Sequence, residues 1–485
     1  MAFNSLSFLI GLPIVVAVYW VLPQRARWVP LLLASYGFCT TCAPTFLIWI
    51  LFSTLVTYLL GRVMGRMSHP GGRKVLLVLG VVSNLGLLLV LKYLGFADEI
   101  LRALFGTLGL TYQLTVPTLW LPVGISFYTL QSAGYLIDVH RGDVEPETHL
   151  GHFALFTAYF AKLTSGPIER ADHLLPQFRR SHTLDASLLF SGLRLMLWGM
   201  FKKVVIADRL LAYVNVVYGN PDGFAGWTIV IATLFSAVHI YSDFSGYSDI
   251  AVGVARLCGL EVIQNFRQPY VASSVSEFWR RWHISLSTWF RDYLYFPLGG
   301  SRVSPWRRDL NILIVFLVSG LWHGAAWTFV IWGALHGVYL ILERRSVALR
   351  DRVAKALRLD HPAVRGTIGT LTTIALVTFA WIFFYARSLP DAWLMIRNMV
   401  RFGGGAAVTA PWAGLTPAPG LEMALAWGLI GVLVLAHLGR EGRLPILVAP
   451  LRRMTGLRWA VYLLLALAIM NLGAADEVPF LYAGF

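Results

Sequence analysis

The chain has 485 residues, of which 57% are hydrophobic and only 13% charged, with a formal charge of +15. Soluble globular domains carry about a quarter charged residues, so half that share over this length excludes an ordinary soluble protein. The excess of Lys and Arg would point to nucleic acid in a soluble protein. Here it falls mainly in short segments between apolar runs, where basic residues set topology and meet anionic lipid headgroups, so membrane lipid is the expected partner and nucleic acid is not.

Crossing hydrocarbon as a helix takes on the order of 20 apolar residues. In chain order, spans are expected at residues 6–22, 46–60, 75–94, 121–137, 228–241, 311–330, 367–384, 422–438 and 459–472. The first has no basic n-region and no small-residue cleavage site, so it reads as a permanent span and not a signal peptide. Arg25 and Arg27 follow it, which puts Met1 outside the cytoplasm. Residues 29–42, 153–163, 188–201 and 250–260 are too short to cross upright, and predict tilted, broken or re-entrant helices. Arg62, Arg66, Arg73 and Lys74 follow the third apolar run and are expected in the cytoplasm. So are the seven Lys/Arg of residues 344–365 and the five of residues 440–458, which leaves Phe485 outside. With no internal repeat and no room for a soluble domain, the expected architecture is all-α: one polytopic membrane helical bundle over residues 1–485, with short and re-entrant helices.

Cys39, Cys42 and Cys258 are the three cysteines. The C-x-x-C of the first two follows an apolar run and has no second Cys or His pair nearby, so packing is expected in place of zinc or redox chemistry. No metal is anticipated. Walker A, G-x-S-x-G and H-E-x-x-H sequences are absent, which argues against an ATPase, a serine hydrolase or a zinc protease.

Three polar features interrupt the apolar pattern. His323 is the only ionisable residue in ILIVFLVSGLWHGAAWTFVIWGAL, residues 312–335. As one helix this run would hold it midway between Asp309 and His336, roughly 20 Å from either at 1.5 Å per residue. An ionisable group at that depth is a functional candidate, and imidazole suits general base work near neutral pH. Gly320, Gly324, Ala325 and Ala326 leave room beside it for another backbone or a substrate. Packing against a neighbouring helix is the competing role.

The second feature is SEFWRRWHISLSTWFRDYLYFPLGGSR, residues 276–302. Its charges cannot face lipid across a full span, so it either lines a cavity, dips into the protein or lies as an interfacial aromatic belt. Arg280, Arg281, Arg291 and Arg302 suit donor phosphates, and His283 is a second buried-histidine candidate. The third is YSDFSGYSD, residues 241–249, where Asp249 is expected to cap the run that follows. Asp243 needs a buried partner, an Arg or a His. Lys202 and Lys203 are expected to snorkel to the membrane surface.

With those residues in place, the chain resembles a membrane-bound O-acyltransferase (MBOAT), in the branch of the bacterial alginate O-acetyltransferase membrane component. The likeness rests on LPVGISFYTLQSAGYLIDVHRG, SGPIERADHLLPQF, YSDFSGYSDIAVGVARLCG, FWRRWHISLSTWFRDYLYFPLGGSR and SGLWHGAAWTFVIWGALHG, in that order. It departs at FCTTCAP, where relatives usually carry aromatics. The resemblance implies a bundle around a central tunnel, with His323 catalytic and His283 beside it in the active site. Arg280, Arg281, Arg291, Trp279, Trp282 and Asp243 would bind the donor or line the site. It further implies acetyl-CoA as donor, with an acyl carrier's phosphopantetheine as the alternative. The acceptor would be a cell-envelope or secreted polysaccharide such as alginate, reached with an extracytoplasmic serine-hydrolase-like partner, and the location the bacterial inner membrane. D-alanyl or other acyl transfer to teichoic acid or peptidoglycan is the nearest rival. A transporter or export channel is the rival of another class, but it predicts repeated halves that the sequence lacks.

Overall fold

The structure, a computed structural model, describes residues 3, 5–112, 121–402, 407–473 and 480. Met1, Phe485 and the Cys42 side chain lie outside the described residues. These residues form twenty-one α-helices and no strand. Six helices are long and apolar enough to cross a membrane: Phe46–Arg66, Pro70–Thr107, Trp227–Leu257, Pro362–Tyr385, Pro419–Arg440 and Thr455–Leu472. The chain is an all-α, multi-pass membrane protein, as expected where every backbone group must be satisfied without water.

Three expected spans take a different form. Residues 121–137 give the 17-residue helix Ile125–Arg141, almost wholly buried. Residues 228–241 and 250–260 are not separate: both belong to the 31-residue helix Trp227–Leu257, which YSDFSGYSD does not interrupt. Residues 311–330 are not a single span. They form helix Pro305–His323, a break at Gly324–Ala326, and helix Trp327–Arg345, which doubles back.

The chain divides into two compact units, one of residues Met1–Met196, Ile250–Ile263 and Pro479–Phe485, the other of Leu197–Asp249 and Gln264–Val478. In the first, small and polar residues let helices approach, as is usual within membranes. Asn84 accepts from Ser53 at 2.5 Å and donates to Thr57 at 3.0 Å, and Thr54 bonds Thr157 at 2.8 Å. Gly124, at φ 78° and with no room for a Cβ against the Leu163 carbonyl, opens the Ile125–Arg141 helix. SGPIERADHLLPQF has a structural task here: buried Glu169 accepts from Ile263 N–H at 2.5 Å and bonds His173 at 2.8 Å. Cys39 and Cys258 are buried, unoxidised thiols. The second unit holds both candidate histidines.

Candidate active site

The site starts from a hairpin of two helices, Pro305–His323 and Trp327–Arg345. Its close packing depends on glycine: a Cβ at Gly320 would overlap the Phe329 carbonyl, and one at Gly333 the Phe316 carbonyl. A Cβ at Gly324 would run into the Phe329 ring. The glycines beside His323 thus admit another backbone, that of its own hairpin partner. At the open end Asp309 pairs with Arg344 and Arg345, so both charged ends lie together and His323 sits at the far tip. His323 is thus roughly 20 Å from Asp309, by fourteen residues of helical rise. His336 is not the opposite polar flank. It is buried, and both it and His323 pack edge-on against Trp332 at 4.9 Å.

The second element is the segment from Val275. Glu343, near the open end of the hairpin, accepts from Val275 N–H at 2.6 Å and from Ser276 N–H at 3.3 Å. Its carboxylate thereby supports the start of helix Val275–Arg281. That helix ends at Trp282, and His283 takes a left-handed conformation, φ 41° and ψ 55°, before helix Ile284–Phe290 begins. A non-glycine residue there is uncommon and costs about 1–3 kcal/mol, which the surroundings must offset. The elbow aims the fully buried His283 ring to 6.3 Å from the His323 ring, centroid to centroid.

Aromatic faces enclose the pair. Phe244 lies 4.7 Å from His283, and Trp322 packs at 4.9 Å and Phe384 at 5.5 Å from His323. Trp332 stacks on Trp381, which also meets Trp282 at 5.1 Å. Two imidazoles thus lie tilted at 56° to each other in an aromatic enclosure, where one can move a proton and the other can hold a reacting group in place.

The other expected site residues divide. Trp279 and Trp282 are buried in the wall; Trp279 Nε1 donates to His336 Nδ1 at 3.3 Å, and Trp282 stacks on Phe278 at 5.3 Å. Arg280 and Arg291 are exposed, Arg291 against its neighbour Asp292 at 2.8 Å. Arg281 is committed to carboxylates, Glu277 at 2.8 Å and Glu441 at 2.5 Å. The Glu441 bond holds the guanidinium above its usual pKa.

Asp243 is buried and pairs with Lys203 at 2.7 Å, a lysine where an Arg or a His is expected. Lys203 also pairs with Asp208 at 2.8 Å, and Lys202 with Asp249 at 2.8 Å. Neither lysine snorkels: both are buried, on the π-helical turn Phe201–Ala207. Asp249 is no N-cap, since it lies within the Trp227–Leu257 helix. The motif YSDFSGYSD is a docking face for that turn, with Ser245 accepting from Lys202 at 2.8 Å. Gly246 leaves room for the Gly199 carbonyl. Among the described residues no three His, Cys, Asp or Glu side chains gather closely enough to share a metal ion.

The site thus brings together two buried histidines in a helical membrane protein, His323 at the tip of the doubled-back helix pair and His283 at the elbow before helix Ile284–Phe290. A profile of the membrane-bound O-acyltransferase family matches residues 147–356. The chain is similar to the probable alginate O-acetylase AlgI of Azotobacter vinelandii, 36% identical over 100% of both chains. It is 38% identical to that of Pseudomonas aeruginosa over 90% of this chain and 80% of the relative. The peptidoglycan O-acetyltransferase of Helicobacter pylori is 31% identical over 83% of this chain and 80% of its own length. The chain belongs to the membrane-bound O-acyltransferase family, and is an enzyme that transfers an acyl group from a donor.

Proposed function

We propose that this protein moves an acetyl group from a cytoplasmic thioester across the bacterial inner membrane to hydroxyls of a cell-envelope or secreted polysaccharide, alginate foremost, with the whole chain working as one membrane domain. The observation that carries the reading is the His283–His323 pair, buried in one aromatic enclosure with its rings 6.3 Å apart. The basic open end of the hairpin, with Arg307, Arg308, Arg344 and Arg345, belongs in the cytoplasm by the positive-inside rule. Acetyl-CoA would enter from that side, its phosphates near exposed Arg280 and Arg291. Surface pairs such as Arg291–Asp292 are weak enough to exchange for phosphate.

His323 takes the proton of the acceptor hydroxyl as its oxygen attacks the thioester carbonyl. The new C–O bond forms, the C–S bond breaks, and the departing thiolate receives the proton from His323. His283 holds a reactant in line, while Trp279, Trp282 and Trp332 keep water out. An extracytoplasmic serine-hydrolase-like partner would complete delivery to the polymer. The length and identity of the similarity to the alginate-type relatives favour acetyl over D-alanyl. The teichoic acid D-alanyltransferase of Bacillus subtilis is 26% identical over 45% of this chain.

The test is donor choice. Purified protein in nanodiscs is given acetyl-CoA, acetyl carrier protein and D-alanyl carrier protein in parallel, and free thiol release is followed with alginate oligosaccharide present. Release from acetyl-CoA alone supports the reading. Release only from the D-alanyl carrier refutes it.

A further inference from the structure

The left-handed elbow at His283 needs something to hold it, and one buried side chain meets that need from a separate loop. Asn265 lies in the stretch between helix Trp227–Leu257 and helix Val275–Arg281, and is 1% exposed. Its backbone carbonyl accepts from Ile284 N–H at 2.9 Å, the residue directly after His283. Its side-chain Oδ1 accepts from Ser285 Oγ at 2.6 Å and from Ser285 N–H at 3.4 Å. Its Nδ2 donates to Ser248 Oγ at 3.3 Å, on the Trp227–Leu257 helix. On the other side of the elbow, Arg267 N–H donates to the Arg281 carbonyl at 2.9 Å. Phe266 packs on Trp282 at 5.1 Å and on Phe244 at 4.9 Å. The loop therefore grips the chain on both sides of His283.

We infer that Asn265 is a positioning residue for the transfer reaction: its amide ties Ser285 to Ser248 and so fixes where the His283 ring stands relative to His323. An amide serves both contacts with one buried, uncharged group: its oxygen accepts from the Ser285 hydroxyl and N–H while its NH2 donates to the Ser248 hydroxyl. The hydrogen bonds of the Asn265 amide go to Ser285 and Ser248 and that of its carbonyl to Ile284, so it acts through the elbow. A misplacement of about 1 Å at a reacting group can cost on the order of 100-fold in rate.

The inference rests on the reading of His283 as part of the active site, and the experiment separates the two. Turnover of acetyl-CoA is measured against donor concentration for wild type, Asn265→Ala, Ser285→Ala, His283→Ala and the Asn265→Ala/His283→Ala double variant, all purified in nanodiscs. Asn265→Ala is expected to lower kcat by about 10- to 100-fold with KM within about threefold. Ser285→Ala, which keeps both the Ser248 bond and the backbone bond from Ile284, should fold normally and lose several-fold in kcat. Removing Asn265 from the His283→Ala enzyme should cost nothing more, because its effect passes through that ring. Near-wild-type kcat in both Asn265→Ala and Ser285→Ala overturns the proposal, as does a loss confined to KM or one that multiplies with His283→Ala. Wild-type turnover by His283→Ala instead sinks the reading of His283 itself. If His283→Ala has no measurable rate, the split between kcat and KM in the two milder variants decides.

Discussion

Two buried polar regions of the same compact unit are built on opposite terms. Around Lys202 and Lys203 the polar groups are formal charges, each matched by a carboxylate at 2.7 to 2.8 Å. Around His283 and His323 they are imidazoles set among Phe244, Trp322, Trp332 and Phe384. The first arrangement locks helix Trp227–Leu257 to the π-helical turn Phe201–Ala207, because separating its members would strand charge in a low-dielectric interior. The second holds rings that carry no formal charge when deprotonated, so their burial alone strands none. Burial of an ionisable residue in a membrane protein is therefore not one signal: paired charges act as architecture, and imidazoles in an aromatic enclosure are the candidates for chemistry.

The contrast breaks most readily at the charged region. Lys203→Met leaves Asp208 and Asp243 buried without their cation and should destabilise the protein by about 3–5 kcal/mol. Thermal unfolding in detergent, followed by size-exclusion recovery, should show a lower midpoint. Adding Asp243→Asn should restore part of it. An unchanged midpoint with lost turnover would move this lysine from architecture to chemistry.

A smaller effect is expected at the hairpin. Gly320→Ala sets a methyl against the Phe329 carbonyl and forces the two helices apart, an overpacking cost of about 1–3 kcal/mol. Because His323 is carried on that helix, kcat should fall as well as stability. The conservative Gly428→Ala, where a Cβ meets nothing within 4 Å, is the control and should change neither.

The smallest effect is a pH dependence at Glu277. Partial burial pushes its pKa up, but bonds from Ser273 and Arg281 outweigh this and hold it below the usual carboxylate value. A depressed carboxylate contributes stability that is present above its unfolded pKa and lost as pH falls through the folded one. Being partly exposed, the group contributes less than about 1 kcal/mol after screening. Wild type should therefore lose slightly more stability on acidification than Glu277→Gln, as thermal midpoints across that range would reveal.

His323 was legible because nothing else in residues 312–335 is ionisable, and His283 because charges and aromatics crowd around it. The path of the chain through His323 was not legible. A turn made of Gly324, Ala325 and Ala326 is as apolar as the helices it joins, so hydropathy reads straight through it. The lysine pairs were hidden for another reason: their partners Asp243 and Asp249 lie more than a helix away in sequence, and a carboxylate ahead of an apolar run looks like a cap. His336 looks like a polar flank because it ends an apolar run, but it lies four residues from Trp332 on one helix face and is buried with it. Asn265 offers no sequence signal, since a lone Asn in a loop gains its meaning only from Ser248 and Ser285.

The central claim is that His323 does the chemistry. Its most direct test is turnover of acetyl-labelled acetyl-CoA by wild type and by His323→Ala, matched for folding and nanodisc insertion. The account predicts label transfer by wild type and a loss of about 100- to 10,000-fold in the variant, with its thermal midpoint little changed. Equal turnover in the two proteins would contradict it.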